Sequence, residues 1–223
     1  MQEIDFMSSL HKSTKRNYLE RVNDQDFPKS KAASLAKKYD FDYWDGDRRI
    51  NYGGYKYIPG RWRKVAQEMI IYYNLKPNSK ILDIGCGKGY LLYEFKKLIP
   101  ECEIFGIDIS EYAIKNAHEK VKDKIVFGSA SELPFKEKIF DLVISINTLH
   151  NLYCYELFQA LKEIERVAKM NKYICVESYR NEEEKANLLY WQVTCEAFNT
   201  PKEWKWWFNQ SGYQGDYSFI YFS

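Results

Sequence analysis

A glycine-rich turn between an apolar strand and a helix is the feature that most constrains the fold of this chain. The stretch ILDIGCGKGY, residues 81–90, has glycines at alternate positions directly after a short apolar run. The run KILDI predicts a strand over 80–84, and YLLYEFKKLI predicts a helix over 90–99. Turns of this kind let the backbone pass close to a ligand, which is usually a nucleotide.

The spacing within the turn argues against a dinucleotide. The dinucleotide fingerprint G-x-G-x-x-G/A requires a small residue where this chain has Tyr90. The observed pattern is D-x-G-x-G-x-G, which begins at Asp83 and ends at Gly89. An acidic group at this position would repel a diphosphate, so the turn fits a cationic ligand better.

Strands and helices alternate along the chain from residue 61 to residue 178. Ser110 is the expected N-cap of one of these helices. This alternation predicts an α/β fold with a doubly wound, mainly parallel sheet of six or seven strands and helices on both faces. The expected helices are 61–74, 90–99, 111–121 and 155–169, and the expected strands are 80–84, 102–108, 124–128, 140–147 and 172–178.

The first 60 residues have a different texture from the rest of the chain. Short basic helices are predicted over 10–22 and 29–39, and a loop rich in Tyr, Gly and Asp follows from residue 40. We expect residues 1–60 to form a lid or substrate-capping segment on a main domain over 61–223.

The alternation also breaks down after residue 178. A long helical insertion is predicted over 181–199, where it would cap the substrate site, and a further helix is predicted to be capped by Pro201 and ended by Gly212. Only one more strand, 216–222, is expected. Either the sheet has no seventh strand, or the stretch 181–192 forms it and is not helical. If the seventh strand is absent, the exposed sheet edge needs cover.

Composition narrows the classes of function. The net charge of +2 is too small to indicate nucleic acid, and the chain has no apolar run long enough to span a membrane. The five cysteines lack a C-x-x-C pair and the three histidines are far apart, so we expect reduced thiols and no metal site. No secretory segment opens the sequence, which makes the cytoplasm the expected location. Aromatic residues reach 17%, more than a core needs, so we expect some of them to line a pocket.

The turn and the segments after it resemble the motifs of class I S-adenosylmethionine-dependent methyltransferases. ILDIGCGKGY resembles the family's first motif, and Asp108 ends the second strand where the family's carboxylate binds the ribose hydroxyls. GSASELPFKEKIFDLVIS resembles the third and fourth motifs, which border the adenine, and INTLHNL resembles the stretch beneath the methionine part of the cofactor. The resemblance spans about residues 61–178 and implies S-adenosylmethionine as the cofactor.

The resemblance also implies a set of cofactor-binding residues. Many family members have an acidic residue where this chain has Ser129, so the contact to the adenine amino group is expected to be weaker. In the N-terminal lid, Tyr57 and Arg61 could reach the cofactor's carboxylate or could be surface packing. The residues expected on the core itself are Asp83, Gly85, Cys86, Gly87, Gly89, Asp108, Ile109, Ser129, Ala130, Ser131 and Asn147.

Residues that follow the fourth and fifth strands are the candidates for chemistry and for substrate binding. His150 is a candidate catalytic residue, although a histidine in this position could equally be packed without a catalytic role. Tyr179 is the second catalytic candidate. The candidate substrate contacts are Glu177, Arg180, Tyr190 and Trp191.

The nature of the methyl acceptor is constrained mainly by what the sequence lacks. No N/D-P-P-Y/F motif follows the fourth strand, and Cys154 has no Pro-Cys setting, which disfavours methylation of base amines and of C5 in pyrimidines. We therefore expect a hydroxyl or amine of a small polar metabolite, such as a sugar or sugar nucleotide. The alternatives are an RNA or protein methyltransferase and a non-catalytic cofactor-binding partner subunit. Nucleic acid is disfavoured as a partner, and a homodimer stays open.

Overall fold

The computed structural model describes residues 1–10, 17–52 and 55–223. Parts of the expected 10–22 helix and of the loop after residue 40 therefore lie outside the described residues. Within the described residues there are six strands, which are β1 Lys80–Ile84, β2 Glu103–Asp108, β3 Ile125–Phe127, β4 Phe140–Ile146, β5 Ala168–Glu177 and β6 Asp216–Ile220. They form one sheet in the order β3-β2-β1-β4-β5-β6, and all neighbouring strands are parallel.

Helices cover both faces of this sheet, as the α/β prediction requires. One face packs against the helices that contain Val65, Leu91 and Leu188, and the other packs against the helices that contain Leu157 and Trp204. Successive β1 residues point to opposite faces, so Ile81 lies in the first core and Leu82 in the second. The α-helices are α1 Tyr18–Asn23, α2 Lys29–Ala36, α3 Phe41–Trp44, α4 Arg63–Tyr72, α5 Tyr90–Leu98, α6 Glu111–Lys115, α7 Cys154–Val167, α8 Glu182–Trp191 and α9 Pro201–Ser211. None of the described helices is long and apolar enough to cross a membrane.

The strand order places the site. β1 lies between β2 and β4, so the direction in which successive strands are added reverses at this point. Ligands of doubly wound sheets bind at such a reversal, outside the carboxyl ends of the strands. The glycine turn follows β1 and Asn147 follows β4, so both lie at this edge.

The last strand and its edge resolve the question of a seventh strand. β6 runs parallel to β5, and no seventh strand pairs with it in the part of the chain that the structure describes. Its outer edge is covered by the first residues of the chain. The amide of Ile4 donates to the Tyr217 carbonyl at 2.8 Å, and the Tyr217 amide donates to the Gln2 carbonyl at 3.0 Å. The chain's own N-terminal residues thus pair with backbone groups at this edge.

Three local predictions were wrong, each for a physical reason. The helix expected over 111–121 ends at Lys115, because the chain turns back so that the His118 amide donates to the Lys88 carbonyl at 2.9 Å. The expected cap of α9 is also incorrect. Thr200 is the N-cap, in a capping box with Glu203, and Pro201 is the first helical residue. Ser110 does cap α6, as predicted, since its Oγ accepts from the Ala113 amide at 3.0 Å.

The third error is the length of the 181–199 helix. α8 ends at Trp191, and residues 192–199 continue as irregular chain. The reason lies in a side chain far away in sequence. The Tyr52 hydroxyl accepts the amides of Val193 and Thr194 at 2.7 and 3.1 Å, which replaces the helical partners that these amides would otherwise need.

Candidate functional site

The glycine turn has a backbone that other residues could not adopt without strain. Gly85 and Gly87 have φ values of +73° and +54°, in the left-handed region. A Cβ on Gly85 would lie 2.0 Å from Oγ1 of Thr148, and one on Gly87 would lie 2.6 Å from the indole of Trp44. The turn therefore needs glycine for two reasons. Its dihedral angles are left-handed, and Thr148 and Trp44 pack so close to it that a Cβ would clash.

Two buried carboxylates flank the turn. The carboxylate of Asp108 accepts the Gly87 amide at 2.7 Å and the Ser110 amide at 2.8 Å. Burial raises the pKa of Asp108 despite these hydrogen bonds. Burial, reinforced by the nearby charge of Asp108, raises the pKa of Asp83 to about 7. Among the described residues, no donor reaches the Asp83 carboxylate, so a cationic ligand group is a fitting partner for it.

The carboxyl ends of the strands open into one cavity of about 1370 Å³. The N-terminal segment and the chain after α8 form the rest of its wall. Most of the residues expected at the site line this cavity. They are Arg61, Asp83, Gly85, Cys86, Gly87, Asp108, Ile109, Ser129, Ala130, Asn147, His150, Glu177 and Trp191.

Other expected site residues contact the protein itself and do not line the cavity wall. The Tyr57 ring packs against His118 at 4.8 Å, and Arg180 pairs with Glu184. Tyr179 is buried in the core. The remaining three are Tyr190, which is partly exposed, Gly89, which is the N-cap of α5, and Ser131, whose hydroxyl bonds to that of Ser129.

A polar network lies on the cavity wall at the ends of β4 and β5. The Glu177 amide donates to His150 Nδ1 at 3.4 Å, and His150 Nε2 lies 3.5 Å from Oε2 of Glu177. Burial lowers the pKa of His150 to about 3, so the imidazole is neutral and carries its proton on Nε2. Gln192 Nε2 also donates to Oε2 of Glu177, and the Tyr52 hydroxyl donates to Oε1 of Gln192 at 2.6 Å. In this arrangement Glu177 can accept a proton, whereas His150 can donate a hydrogen bond.

Two residues of this network, Tyr52 and Gln192, escaped the sequence-based prediction. They are 140 positions apart and belong to no motif. The only signal was the aromatic excess. The prediction that aromatic residues line a pocket is confirmed, since rings from the N-terminal segment and from α8 form part of the cavity wall. These rings are Tyr39, Tyr43, Trp44, Tyr52, Tyr55 and Trp191.

Asn147 combines two features that are typical of ligand sites. Its φ is +56°, a strained value for a residue other than glycine. Its side-chain Oδ1 is buried and has no hydrogen-bond partner among the described residues. An acceptor that the protein leaves unpaired on a cavity wall is available to a donor group on a bound ligand.

The raised pKa of Asp83 predicts how the stability of the ligand-free protein depends on pH. The pKa of Asp83 in the folded protein lies above the unfolded value of 3.8, so ionising this carboxyl costs more free energy in the folded state. The stability that the protein has with Asp83 protonated is complete below about pH 4 and is lost as the pH rises through about 7. We expect the free energy of unfolding to fall by roughly 2–4 kcal/mol across this window through Asp83 alone. Urea unfolding at pH 5 and pH 8 measures this loss, which should be much smaller in Asp83→Asn. The exposed Asp123→Asn serves as control, and equal pH dependence in all three proteins would contradict the assignment.

Comparisons with known proteins point to one family. A family model described as "Methyltransferase domain" matches residues 75–212, more than half of the chain. A second model, described as "Protein-L-isoaspartate(D-aspartate) O-methyltransferase (PCMT)", matches residues 20–129.

Individual relatives are similar over shorter stretches. A tRNA (carboxymethyluridine(34)-5-O)-methyltransferase of Arabidopsis thaliana is 34% identical over 130 residues, 58% of this chain and 30% of its own length. A demethylmenaquinone methyltransferase of Bacillus cytotoxicus is 34% identical over 125 residues, 52% of this chain and 51% of its own. The chain thus spans about half or less of the length of these curated relatives. The crystal structure of the YcgJ protein from Bacillus subtilis has the same fold, with a TM-score of 0.53 and 21% identity over 66% of each chain.

Proposed function

Because the chain belongs to the methyltransferase-domain family and has the class I, S-adenosylmethionine-dependent fold, we propose that it methylates a hydroxyl or amine of a small polar metabolite. A sugar or sugar nucleotide fits the polar and aromatic wall of the cavity. One observation carries the proposal. The glycine turn with Asp83 and Asp108, and the proton-accepting network around Glu177, line the same cavity.

The residues at the carboxyl ends of β1 and β2 fit the cofactor. S-adenosylmethionine supplies a methyl group activated by a sulfonium charge. Asp108 is suited to accept the ribose hydroxyls, and Asp83 is suited to hold the cationic amino group of the methionine part. The orphaned Oδ1 of Asn147 offers an acceptor to the same part of the ligand. Aromatic rings on the wall favour a cationic ligand, since ring faces attract positive charge.

The residues at the ends of β4 and β5 fit a methyl acceptor that loses a proton. A hydroxyl group must lose its proton as it attacks the methyl group. An ammonium group must lose a proton before its nitrogen can attack. Glu177 is placed to receive that proton. A hydrogen bond from Gln192 Nε2 orients its Oε2, which also lies 3.5 Å from His150 Nε2. The Tyr52 hydroxyl donates to Gln192 in turn, which links the N-terminal segment to the part of the cavity where the methyl acceptor would bind.

RNA methylation is the second candidate, and one finding favours it. The Arabidopsis relative acts, by its name, on tRNA, although the match covers only 30% of that protein. Methyl transfer from radiolabelled S-adenosylmethionine to fractionated metabolites, RNA and protein separates the candidates. We expect label in the small-molecule fraction. Label in RNA or protein alone would contradict the proposal, and no transfer to any fraction despite cofactor binding would favour a non-catalytic subunit.

Replacing Glu177 with glutamine should remove the proton acceptor. We expect kcat to fall by about 10²–10⁴-fold, the usual contribution of a positioned base, with unchanged affinity for S-adenosylhomocysteine. Steady-state kinetics with the labelled fraction and a titration with the product measure the two effects. Glu196→Gln, on the same cavity wall but paired with Lys37, is the matched control. Full activity in Glu177→Gln together with loss of activity in His150→Gln would make His150 the base.

A further inference from the structure

The structure places a short segment of the N-terminal region directly over the two loops that flank the predicted cofactor site. We call this segment, residues 39–45, the strap. It contains the short helix α3, whose N-cap is Asp40. Its last residues, Trp44 and Asp45, each contact one or both of the loops that follow β1 and β2.

Trp44 joins the strap to the loop after β2. Its indole Nε1 donates to Ser110 Oγ at 2.8 Å and to the Tyr39 carbonyl at 3.1 Å. The Ser110 amide in turn donates to Asp108, the predicted ribose-binding carboxylate, at 2.8 Å. Movement of the strap would therefore displace Ser110, which is hydrogen-bonded to Asp108.

The same indole lies against the glycine turn. A Cβ on Gly87 would come within 2.6 Å of the Trp44 ring, so the glycine is required for this contact as well as for its φ. Trp44 also packs edge-on against Tyr55, with ring centroids 4.7 Å apart. Trp44 lines the cavity together with Gly85, Gly87 and Asp108. A ligand lying along the turn and Asp108 would be covered by the indole.

Asp45 makes the second attachment, through a buried lysine of the turn. Lys88 Nζ donates to both carboxylate oxygens of Asp45, at 2.8 and 2.7 Å, and the Tyr112 hydroxyl donates at 2.9 Å. The Lys88 side chain is only 6% exposed. Burial opposes the ionisation of Asp45, but the hydrogen bonds from Lys88 and Tyr112 outweigh it and hold its pKa below the usual value.

An ion pair with one buried partner is suited to act as a two-state attachment, and here Lys88 is buried whereas the Asp45 side chain is 23% exposed. Its desolvation cost is offset only while both partners and their hydrogen bonds are in place, so a pair that opens is not held half-way. Loss of Asp45 leaves the Lys88 charge buried and uncompensated, which favours lifting the strap so that water can reach it.

We propose that Trp44 contacts the bound cofactor and that the Asp45–Lys88 pair is a latch that holds the strap closed over it. This inference rests on the proposed function, because it takes the ligand of the glycine turn to be S-adenosylmethionine. The latch must open for the cofactor to enter and for its demethylated product to leave. The strap thereby sets the rate of exchange as well as part of the affinity.

The exchange rates of S-adenosylhomocysteine on the full chain test the latch. We expect Asp45→Asn to raise the release rate at least about tenfold and to raise the association rate too, measured by surface plasmon resonance. The double variant Asp45→Asn/Lys88→Met, which leaves no buried charge, should also exchange faster. Asp47→Asn removes an exposed carboxylate paired with Arg49 just outside the strap and should keep both rates. Wild-type rates in both latch variants would overturn the latch.

Variants of Trp44 test the contact with the cofactor. We expect Trp44→Ala to weaken product binding at least about tenfold and Trp44→Phe, which keeps a ring but loses the bond to Ser110, to weaken it less. Trp206→Phe, on the exposed face of α9, is the control. Unchanged affinity in Trp44→Ala would overturn the contact. If the wild-type protein binds no S-adenosylhomocysteine, the proposed function fails and this inference fails with it, whereas binding with unaltered variants overturns the inference alone.

Discussion

Substitution of Asp108 by alanine is expected to weaken S-adenosylhomocysteine binding by at least about 100-fold. A hydrogen bond to a charged acceptor contributes about 1.5–3 kcal/mol, and the two ribose hydroxyls would each lose one. The substitution also removes the acceptor for the Gly87 and Ser110 amides, which hold the glycine turn and the start of α6 in place. Isothermal titration calorimetry of wild type and variant measures the change.

The control for this prediction separates the ribose contact from a general effect of losing an acid. Asp123→Ala removes an exposed carboxylate near β3 that makes no contact with the site, and it should bind the product as wild type does. Circular dichroism shows whether each variant is folded. A folded Asp108→Ala protein with wild-type affinity would remove the ribose-binding role of Asp108.

Substitution of Gly85 by alanine is expected to reduce both stability and cofactor affinity. The left-handed φ of +73° costs an L-residue about 1–2 kcal/mol, and the crowding of the new Cβ against Thr148 Oγ1 at 2.0 Å costs roughly 1–3 kcal/mol more. Relief of the clash requires the turn to move away from the loop after β4, which displaces the surface on which the cofactor would lie. Denaturant unfolding and product titration measure the two losses.

Gly212 provides a matched control for this substitution. Its φ is +75°, nearly that of Gly85, but a Cβ there would have nothing within 4 Å. Gly212→Ala should therefore lose only the conformational contribution, about 1–2 kcal/mol, and keep full affinity for the product. If the two variants lose the same stability and neither loses affinity, the close approach at Gly85 has no role in the site.

The parallel sheet could be predicted well from the sequence because its central strands are buried on both faces. Such strands appear as continuous apolar runs, and the run KILDI matches β1 Lys80–Ile84 residue for residue. The glycine pattern then placed the turn and the start of α5 correctly. These features are encoded locally, within a few residues of where they act.

Two of the three errors in the fold arose where distant residues override local preference, whereas the misplaced cap of α9 is a local error. The pattern of residues 181–199 predicts a helix, yet α8 ends at Trp191 because the amides of Val193 and Thr194 donate to the Tyr52 hydroxyl. The edge of β6 is covered by Gln2 and Ile4, which local patterns cannot pair with a strand more than 200 residues later. Propensity contains no information on such contacts.

The candidate site divides along the same line. The residues of the glycine turn, Asp83 and Asp108 could be placed at one sheet edge from strand ends alone. Tyr52, Gln192 and Trp44 could not, because each reaches the cavity from a segment without a motif. The network around Glu177 and the strap could therefore be identified only in the three-dimensional structure.

Equilibrium binding of S-adenosylhomocysteine to the purified full chain tests the central claim most directly, with NAD titrated in parallel. The pattern of Asp83, Asp108 and the glycine turn predicts saturable one-to-one binding of S-adenosylhomocysteine, and Tyr90 predicts no binding of the dinucleotide. Binding of NAD, or the absence of any binding of S-adenosylhomocysteine, would contradict the account.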